Sequence, residues 1–521
     1  MGACLSTEKK NKEPKVRTKY HASQRKDPKQ LKSALENEPN ILIIGAGVAG
    51  LACAIELKKY GFEFVHILES SGRIGGRIYT INFGDNTIDL GAQWVHGERG
   101  NAVFQMVYKL NLLDSSGDLF TRVDWIRSDG EPVPRALVLK LINLVTTIFE
   151  NRHQDLADYD GTFNEYLQTK FGQELEKPAF QDVDRSMANS FLRAFCKMEG
   201  AAVESGIDQM SGSGFESYEP CPGDNMLNWR DKGFKKFLHV LLGGDEMNEL
   251  GNLKDCVLFN QRVIRIEWDR MDGSVMVYCE GDQSYLADHV VISVSLGVLK
   301  KNSSLFVPVL PSDKRRAINF LGFGHICKIF IEFDAAFWPV SWPGFNVIWQ
   351  EKDLEDAKNE ELKWTTEIYA FYCTKYQPRV LQGWCAGECV EYIETLDSKT
   401  LTQGIITILK RFLPKMKIPL PKRVMTSKWT TNPAHLGAYS YPSMLTKSFN
   451  TGAEELAQPV NMLAYEPMND SKMTIEPMTV RPVLLFCGEA TSSNHYSTVH
   501  GAVESGLREA HRLAGYYLKD L

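Results

Sequence analysis

The stretch that most constrains this chain is Ile41–Gly50, reading ILIIGAGVAG. Its four opening apolar residues read as a strand buried on both faces, as in a parallel sheet. Gly45, Gly47 and Gly50 then fall in the spacing G-x-G-x-x-G. Gly45 permits the tight turn, Gly47 lets the backbone approach a pyrophosphate, and Gly50 lets the following helix lie close to the strand. That helix, from Leu51 to about Lys59, turns its first N–H groups and positive dipole end toward the phosphates. A second strand, Phe64–Leu68, ends in Glu69, where an acid hydrogen-bonds a ribose hydroxyl and would repel the 2′-phosphate of NADP. Glycines at this spacing occur in many ordinary turns. Strand, helix, second strand and acid in order are what make it a dinucleotide site.

A length of 521 residues allows more than one domain, and 43% hydrophobic with 24% charged residues suits a globular enzyme. Its 11 cysteines show neither C-x-x-C nor the Cys/His spacing of a zinc site. Cys385 and Cys389 stand close together with nothing nearby to complete a metal site, and read as core thiols. The most apolar stretch, Ala136–Phe149, is too short to cross a membrane and is interrupted by Lys140 and Asn143. It reads as an amphipathic helix on a domain surface. No secretory leader precedes the first strand, so a reducing, cytoplasmic setting is expected.

Residues 1–39 are polar and lysine-rich, contain Pro14, Pro28 and Pro39, and read as disordered. The opening MGACLS fits the acylation pattern M-G-x-x-x-[ST], with Gly2 as myristate acceptor and Cys4 available to a palmitoyl chain. Between Glu8 and Lys32, ten Lys and Arg face three acids. An acyl chain plus a basic segment gives stable peripheral attachment to a membrane, whereas the bland reading of the same lysines is a soluble tail. The chain's net charge of −6 includes +7 from that stretch, which leaves −13 on the remainder. An acidic body suits a cationic ligand and argues against nucleic acid.

After Glu69 come SSGRIGGRI (Ser70–Ile78) and LGAQWVHG (Leu90–Gly97). The pattern E-x-x-x-R-x-G-G-R followed by L-G-A-x-W-x-x-G resembles the flavin-containing amine oxidases. Within them the chain is most similar to the animal polyamine oxidases, the spermine and N1-acetylpolyamine oxidases, from about Asn40 to Leu521. The resemblance implies an α/β (α+β) two-domain fold, a Rossmann-like FAD-binding domain interleaved with a substrate domain of mixed sheet and helices. The FAD-binding domain would be built from 40–116, 225–321 and 434–521, and the substrate domain from 117–224 and 322–433. By the same resemblance the strand-like runs Cys256–Trp268 and His289–Leu299 would belong to the former. No cysteine stands where monoamine oxidases tether their flavin, so the FAD is expected to be non-covalent. Its implied contacts begin with Gly45, Gly47, Ala49, Gly50, Glu69 and Arg77. They continue through Gln93, Trp94, the backbone of Val263 near the adenine, and Trp429. Glu489 would bind the ribityl chain, and Thr498 and Val499 open a helix whose dipole faces the pyrimidine end of the flavin. The C-terminal KDL matches neither a peroxisomal nor an ER signal, which favours the cytosol or the cytosolic face of a membrane.

Lys328 lies in GFGHICKIFIEF, a strand-like segment where composition alone would turn a lysine outward. The resemblance instead makes it the catalytic lysine that holds a water beside flavin N5, ahead of Phe337-Trp338. His96 would orient the substrate amine or relay a proton, which a group titrating near neutrality can do. Trp429–Tyr441, WTTNPAHLGAYSY, matches the family's W-x-x-x-P-x-x-x-G-x-Y-S, with Tyr439 as one wall of an aromatic cleft. Ser497, in S-T-V-H-G, would lie beside the amine, and Glu216 and Glu219 of FESYEPCPG would supply the acids that recognise a polycation. The implied reaction is hydride transfer from the carbon beside a secondary amine to the flavin, followed by hydrolysis of the imine and reoxidation by dioxygen to give hydrogen peroxide. Spermine, spermidine and their acetylated forms all remain open as substrate. An amino-acid or monoamine oxidase, or an inert membrane-recruited flavoprotein, are the other readings.

Overall fold

The computed structural model describes residues 38–117, 119–199, 208–358, 361–464 and 479–518. Gly2 and Cys4 lie outside them. Two six-stranded sheets organise the chain. The first runs Val257–Leu258, Val65–Leu68, Ile41–Ile44, His289–Ile292, Thr479–Phe486, Val460–Ala464, parallel except at the last pairing. Ile41–Ile44 is central and wholly buried because both faces are covered. Ile41 and Ile43 enter the core under the helices Val48–Lys59 and Val499–Tyr517, whereas Leu42 and Ile44 enter the core on the opposite face. The period of two along a strand produces this division. A four-stranded sheet spanning Val263–Glu267, Val275–Cys279, Ser284–Ala287 and Phe306–Val307 packs into that second core.

The second large sheet runs Arg423–Thr426, Ile326–Glu332, Val380–Ala386, Ile368–Cys373, Gly344–Ile348, Asp124–Arg127, antiparallel up to its last, parallel pair. The helices Arg135–Asp155, Phe163–Leu175 and Arg185–Glu199 share a core with one face, and Ser398–Phe412 with the other. Strands of the first sheet come from 40–116, 225–321 and 434–521, and those of the second from 117–224 and 322–433. Two small sheets cross between these segments: Trp94–Val95 with Leu227–Trp229 and Leu113–Ser115, and Gly322–Gly324 with Tyr439–Tyr441.

One strand expectation needs correction. The run His289–Leu299 is a strand only to Ile292. Ser293 Oγ then donates to the carbonyls of Ile44 and Gly45, and Ser295 caps a helix, Leu296–Lys301, by accepting the Val298 N–H. The helix containing Ala136–Phe149 is amphipathic as expected, with Leu141, Val145, Ile148 and Phe149 turned into the core and Asn143, Thr147 and Glu150 exposed. Among the described residues no helix is long and apolar enough to cross a membrane.

Candidate active site

Between the two halves lies a cavity that begins at the glycine turn and ends at an aromatic wall. Each glycine has a distinct geometric reason. Gly45 has φ +104°, a region that favours glycine. A Cβ on Gly50 would stand 2.3 Å from the Gly45 carbonyl oxygen, so only glycine lets this helix sit so close. A Cβ on Gly47 would meet nothing within 4 Å, because Gly47 faces the cavity. Gly47 is also the N-cap of Val48–Lys59 and supplies no side-chain cap, leaving the first-turn N–H groups, with Ala49 at the wall, to an anion. Gly488, φ +126°, presents a second open position to the same space. At Val499–Tyr517 the Thr498 side chain accepts the Gly501 N–H, leaving the Val499 N–H at the helix tip without a cap.

Glu69 is buried at the cavity edge. One carboxylate oxygen accepts from Ala46 N–H (2.8 Å) and the other from Ser71 N–H (2.8 Å) and Oγ (2.7 Å), which fixes the carboxylate beside the glycine turn. Val263 is not part of the cavity lining. It opens its strand two residues after Gln261, whose N–H donates to the Glu69 carbonyl (2.8 Å). Arg77 donates to Ala438 O (2.6 Å) and Glu489 Oε1 (2.9 Å), while Glu489 Oε2 accepts from Ser440 Oγ (2.7 Å) and Ser497 N–H (2.9 Å). Glu489 therefore ties together three segments at the cavity wall. These open glycines, the free N–H groups at two helix tips and a fixed acid fit an adenine dinucleotide. None of the described lining residues is a cysteine.

Lys328 is buried, at 4% exposure. Along Ile326–Glu332, Cys327, Ile329 and Ile331 enter the core beneath Ser398–Phe412. Lys328 lies on the other face, between Ile326 and Phe330, against the Asp89–Gln93 segment. Its Nζ donates to Asp89 O (3.1 Å), Gly91 O (2.6 Å) and Gln93 Oε1 (2.8 Å), and stands 4.7 Å from the centre of the Trp384 ring. Burial pushes this lysine below its ordinary pKa, against the opposing field of Asp89. All three donors of the ammonium are engaged, so a water beside it must share one of them. The Asp89 bond is the longest.

The neighbouring wall is aromatic. Trp94 stacks on Trp384 (5.3 Å between ring centres, 12°) and donates to Asn228 Oδ1 (3.1 Å). Trp429 donates to Leu90 O (3.0 Å). Tyr439 also lines the cavity, and burial raises its phenol pKa. Ser497 adopts φ +63° and directs its hydroxyl to the Ser440 carbonyl. His96 Nδ1 is 2.7 Å from Asn225 O. A carbonyl only accepts, so Nδ1 carries the proton and Nε2 is left as an acceptor. Burial lowers the His96 pKa to about 4, which keeps the ring neutral at neutral pH.

Glu216 and Glu219 are not in the cavity. Glu216 ends the short helix Gly212–Glu216 and pairs with His153 (2.9 Å). Glu219 is exposed and accepts from Asn494 Nδ2 (2.9 Å). This turn directs Phe215 and Tyr218 inward instead. Besides Glu69 and Glu489, the acid that lines the cavity is Glu199, at the end of Arg185–Glu199. It is 4% exposed, its Oε1 has no hydrogen-bond partner among the described residues, and burial raises its pKa. A signal for it existed. Phe191, Phe195 and Glu199 follow one another at helical spacing, which sets an acid on an apolar face.

The chain matches the family described as flavin containing amine oxidoreductase over residues 48–514. It belongs to that family. Its flavin is FAD, and the enzyme is an amine oxidase. The chain is 29% identical, over 91% of its length and 94% of the relative, to the human peroxisomal N(1)-acetyl-spermine/spermidine oxidase. It is 25% identical, over 93% and 99%, to a probable polyamine oxidase 5 of Arabidopsis thaliana. Among solved structures, a putrescine oxidase bound to putrescine superimposes with a TM-score of 0.65 at 17% identity, covering 92% of this chain and 99% of that one. That likeness extends to the fold.

Proposed function

We propose that this flavin amine oxidase is a polyamine oxidase, acting at a secondary amine of spermine or a related polyamine. The observation that carries the reading is Glu199, an acid whose Oε1 has no partner among the described residues, in a cavity also lined by Trp384, Tyr218, Tyr439 and Tyr496. A buried unpaired carboxylate is costly unless a cation arrives to meet it, and a polyamine carries ammonium groups beyond the one oxidised. Trp384, Tyr218, Tyr439 and Tyr496 exclude water around the reacting nitrogen, which favours its neutral form. His96 Nε2 accepts the N–H of that neutral amine and so fixes which carbon is presented. Lys328 holds the Asp89–Gln93 backbone in place and shares a proton with a bound water. When bound, FAD supplies the hydride acceptor and the route of electrons to dioxygen, giving hydrogen peroxide. Water hydrolyses the oxidised substrate to an aminoaldehyde and a shorter amine.

An amino-acid oxidase would need a cation for the substrate carboxylate. The cavity's described cations are all engaged: Arg73 with backbone carbonyls, Arg77 with Glu489 and Lys328 as above. Anaerobic mixing with spermine, spermidine and N1-acetylspermine, followed by the loss of oxidised-flavin absorbance, tests the reading. Bleaching by one of them names the substrate. A flavin that stays yellow with all three and bleaches with an amino acid or a monoamine overturns it. The M-G-x-x-x-S opening and its basic sequel support a second element of the reading, peripheral membrane attachment through Gly2 and Cys4. Incorporation of a myristate analogue that persists in Gly2→Ala would refute it.

A further inference from the structure

Cys221, His495 and His500 meet behind the cavity wall, outside the site already described. The Cys221 sulfur is 4.0 Å from His495 Nε2 and 3.9 Å from His500 Nε2, and the two imidazole rings lie 4.7 Å apart. Their three ligand atoms lie close enough to one another to suggest a metal ion. The hydrogen bonds around the histidines point to different chemistry.

Asn101 decides the matter. It is the N-cap of Ala102–Val107, and its Oδ1 accepts from Val103 N–H (2.9 Å) and Phe104 N–H (3.0 Å). The amide therefore cannot be turned over, and its Nδ2 donates to His96 O (2.8 Å) and faces His500 Nδ1 at 3.3 Å. His500 Nδ1 is then an acceptor. Its proton sits on Nε2, the atom facing the sulfur, where a metal would need a lone pair. His495 is set from its other side, with Nδ1 2.7 Å from Glu504 Oε2. Burial opposes its charge, but the hydrogen bonds to Cys221 and Glu504 outweigh it and hold its pKa up at about 10. Charged, it also presents an N–H to the sulfur. Two N–H groups thus converge on one sulfur, the arrangement found around nucleophilic cysteines.

The cluster adjoins the place where peroxide is made. Tyr218 and Tyr496 both line the cavity and pack edge to face at 5.3 Å; Cys221 follows the first by three residues and His495 precedes the second. Gly97, next to His96, lies against the Cys221 backbone. We propose that Cys221 is a peroxide-reactive cysteine, activated by His495 and His500, which the enzyme's own hydrogen peroxide converts to a sulfenic acid. The sulfur electron pair attacks one peroxide oxygen, forming the S–O bond as the O–O bond breaks. The departing hydroxide takes the proton from His495 Nε2 and leaves as water. Sulfur is oxidised and peroxide is reduced, with no further reagent. The source of peroxide rests on the oxidase reading; the reactivity of the thiolate does not.

The test adds stoichiometric hydrogen peroxide to reduced holoenzyme without amine, traps sulfenic acid with a 1,3-dione, and locates the label by peptide mass spectrometry. Cys221 is expected to label at least tenfold faster than the more exposed Cys196, Cys373 and Cys389. His495→Asn and Glu504→Gln, with flavin content confirming the fold, should each slow that labelling tenfold and leave the other cysteines unchanged. Labelling of Cys221 no faster than Cys389 overturns the proposal. So does one equivalent of zinc in the purified holoenzyme that is lost in Cys221→Ser. Repeating the trapping with polyamine and air in place of peroxide tests the source separately.

Discussion

Replacing Glu199 by Gln removes one charge and almost no volume, at a position where a carboxylate oxygen has no partner among the described residues. The protein already bears the desolvation of this carboxylate, so an arriving ammonium has only its own hydration to give up. Two unit charges at 4 Å attract by about 4 kcal/mol at an effective dielectric of 20. After the ammonium's desolvation, about 1.5–3 kcal/mol remains, the range for a hydrogen bond to a charged group. At about 1.4 kcal/mol per decade, kcat/KM for the polyamine should fall roughly 10- to 150-fold in Glu199→Gln. The bound-flavin spectrum should not change, and thermal stability should hold or rise because an unpaired buried charge has gone. Burial raises the Glu199 pKa, so in the wild type the acid is discharged at a pH above the ordinary carboxylate range. The acid limb of kcat/KM should lie there and shift in the variant. Steady-state peroxide formation across pH measures both effects. Glu216→Gln and Glu219→Gln, whose acids pair with His153 and Asn494 away from the cavity, should change kcat/KM by less than twofold. Wild-type kcat/KM in Glu199→Gln, or a large loss in Glu216→Gln, would refute the assignment.

Lys328→Met should slow flavin reduction or reoxidation more than tenfold in stopped flow while FAD stays bound, since the ammonium serves the Asp89–Gln93 segment rather than the dinucleotide turn; unchanged rates for both steps would remove its role. Gly47→Ala should fold normally yet lose at least tenfold in FAD affinity, because its methyl would project into the cavity, whereas Gly50→Ala, meeting the Gly45 carbonyl at 2.3 Å, should lose stability as well; equal behaviour of the two in titration and melting would contradict these assignments. His289 is fully buried between Pro482 O and the Tyr517 hydroxyl, with its pKa lowered to about 4 by burial. Its neutral form is favoured in the fold. The stability this confers is present above the unfolded value near 6.5 and is lost as pH falls toward 4, on the order of 3 kcal/mol. Melting temperatures from pH 7 to 4.5 should fall less steeply in His289→Gln than in the wild type, and parallel curves would exclude this linkage.

What could be read from the residues, and what could not, divides along backbone and side chain. Gly45, Gly47 and Gly50 act through local backbone geometry, so ten consecutive residues contain the whole argument, and each glycine's surroundings have the form the spacing implies. Lys328 required the family resemblance. All seven residues of Ile326–Glu332 are buried, so the usual alternation of buried and exposed positions gives no sign that one face meets a site. Glu216 and Glu219 had the right charge, but the turn that carries them sends Phe215 and Tyr218 inward, a choice made by packing against Phe149, Phe163 and Tyr496 from distant segments. Glu199 was visible as an acid on an apolar helical face, yet such a residue at a helix end is usually solvated, and only the closed cavity distinguishes the two cases. The triad at Cys221 matched no spacing rule, because its sulfur and imidazoles lie more than 270 residues apart in sequence. The end of the cavity suited to a dinucleotide is built by a local motif of main-chain groups. The rest of the cavity is lined by side chains from at least four separated segments, carrying His96, Glu199, Lys328 and Tyr439, that come together only when the interleaved chain has closed. Substrate choice can therefore drift among relatives by changes at those positions, while the glycine turn that holds the cofactor stays under separate and stricter geometric constraint.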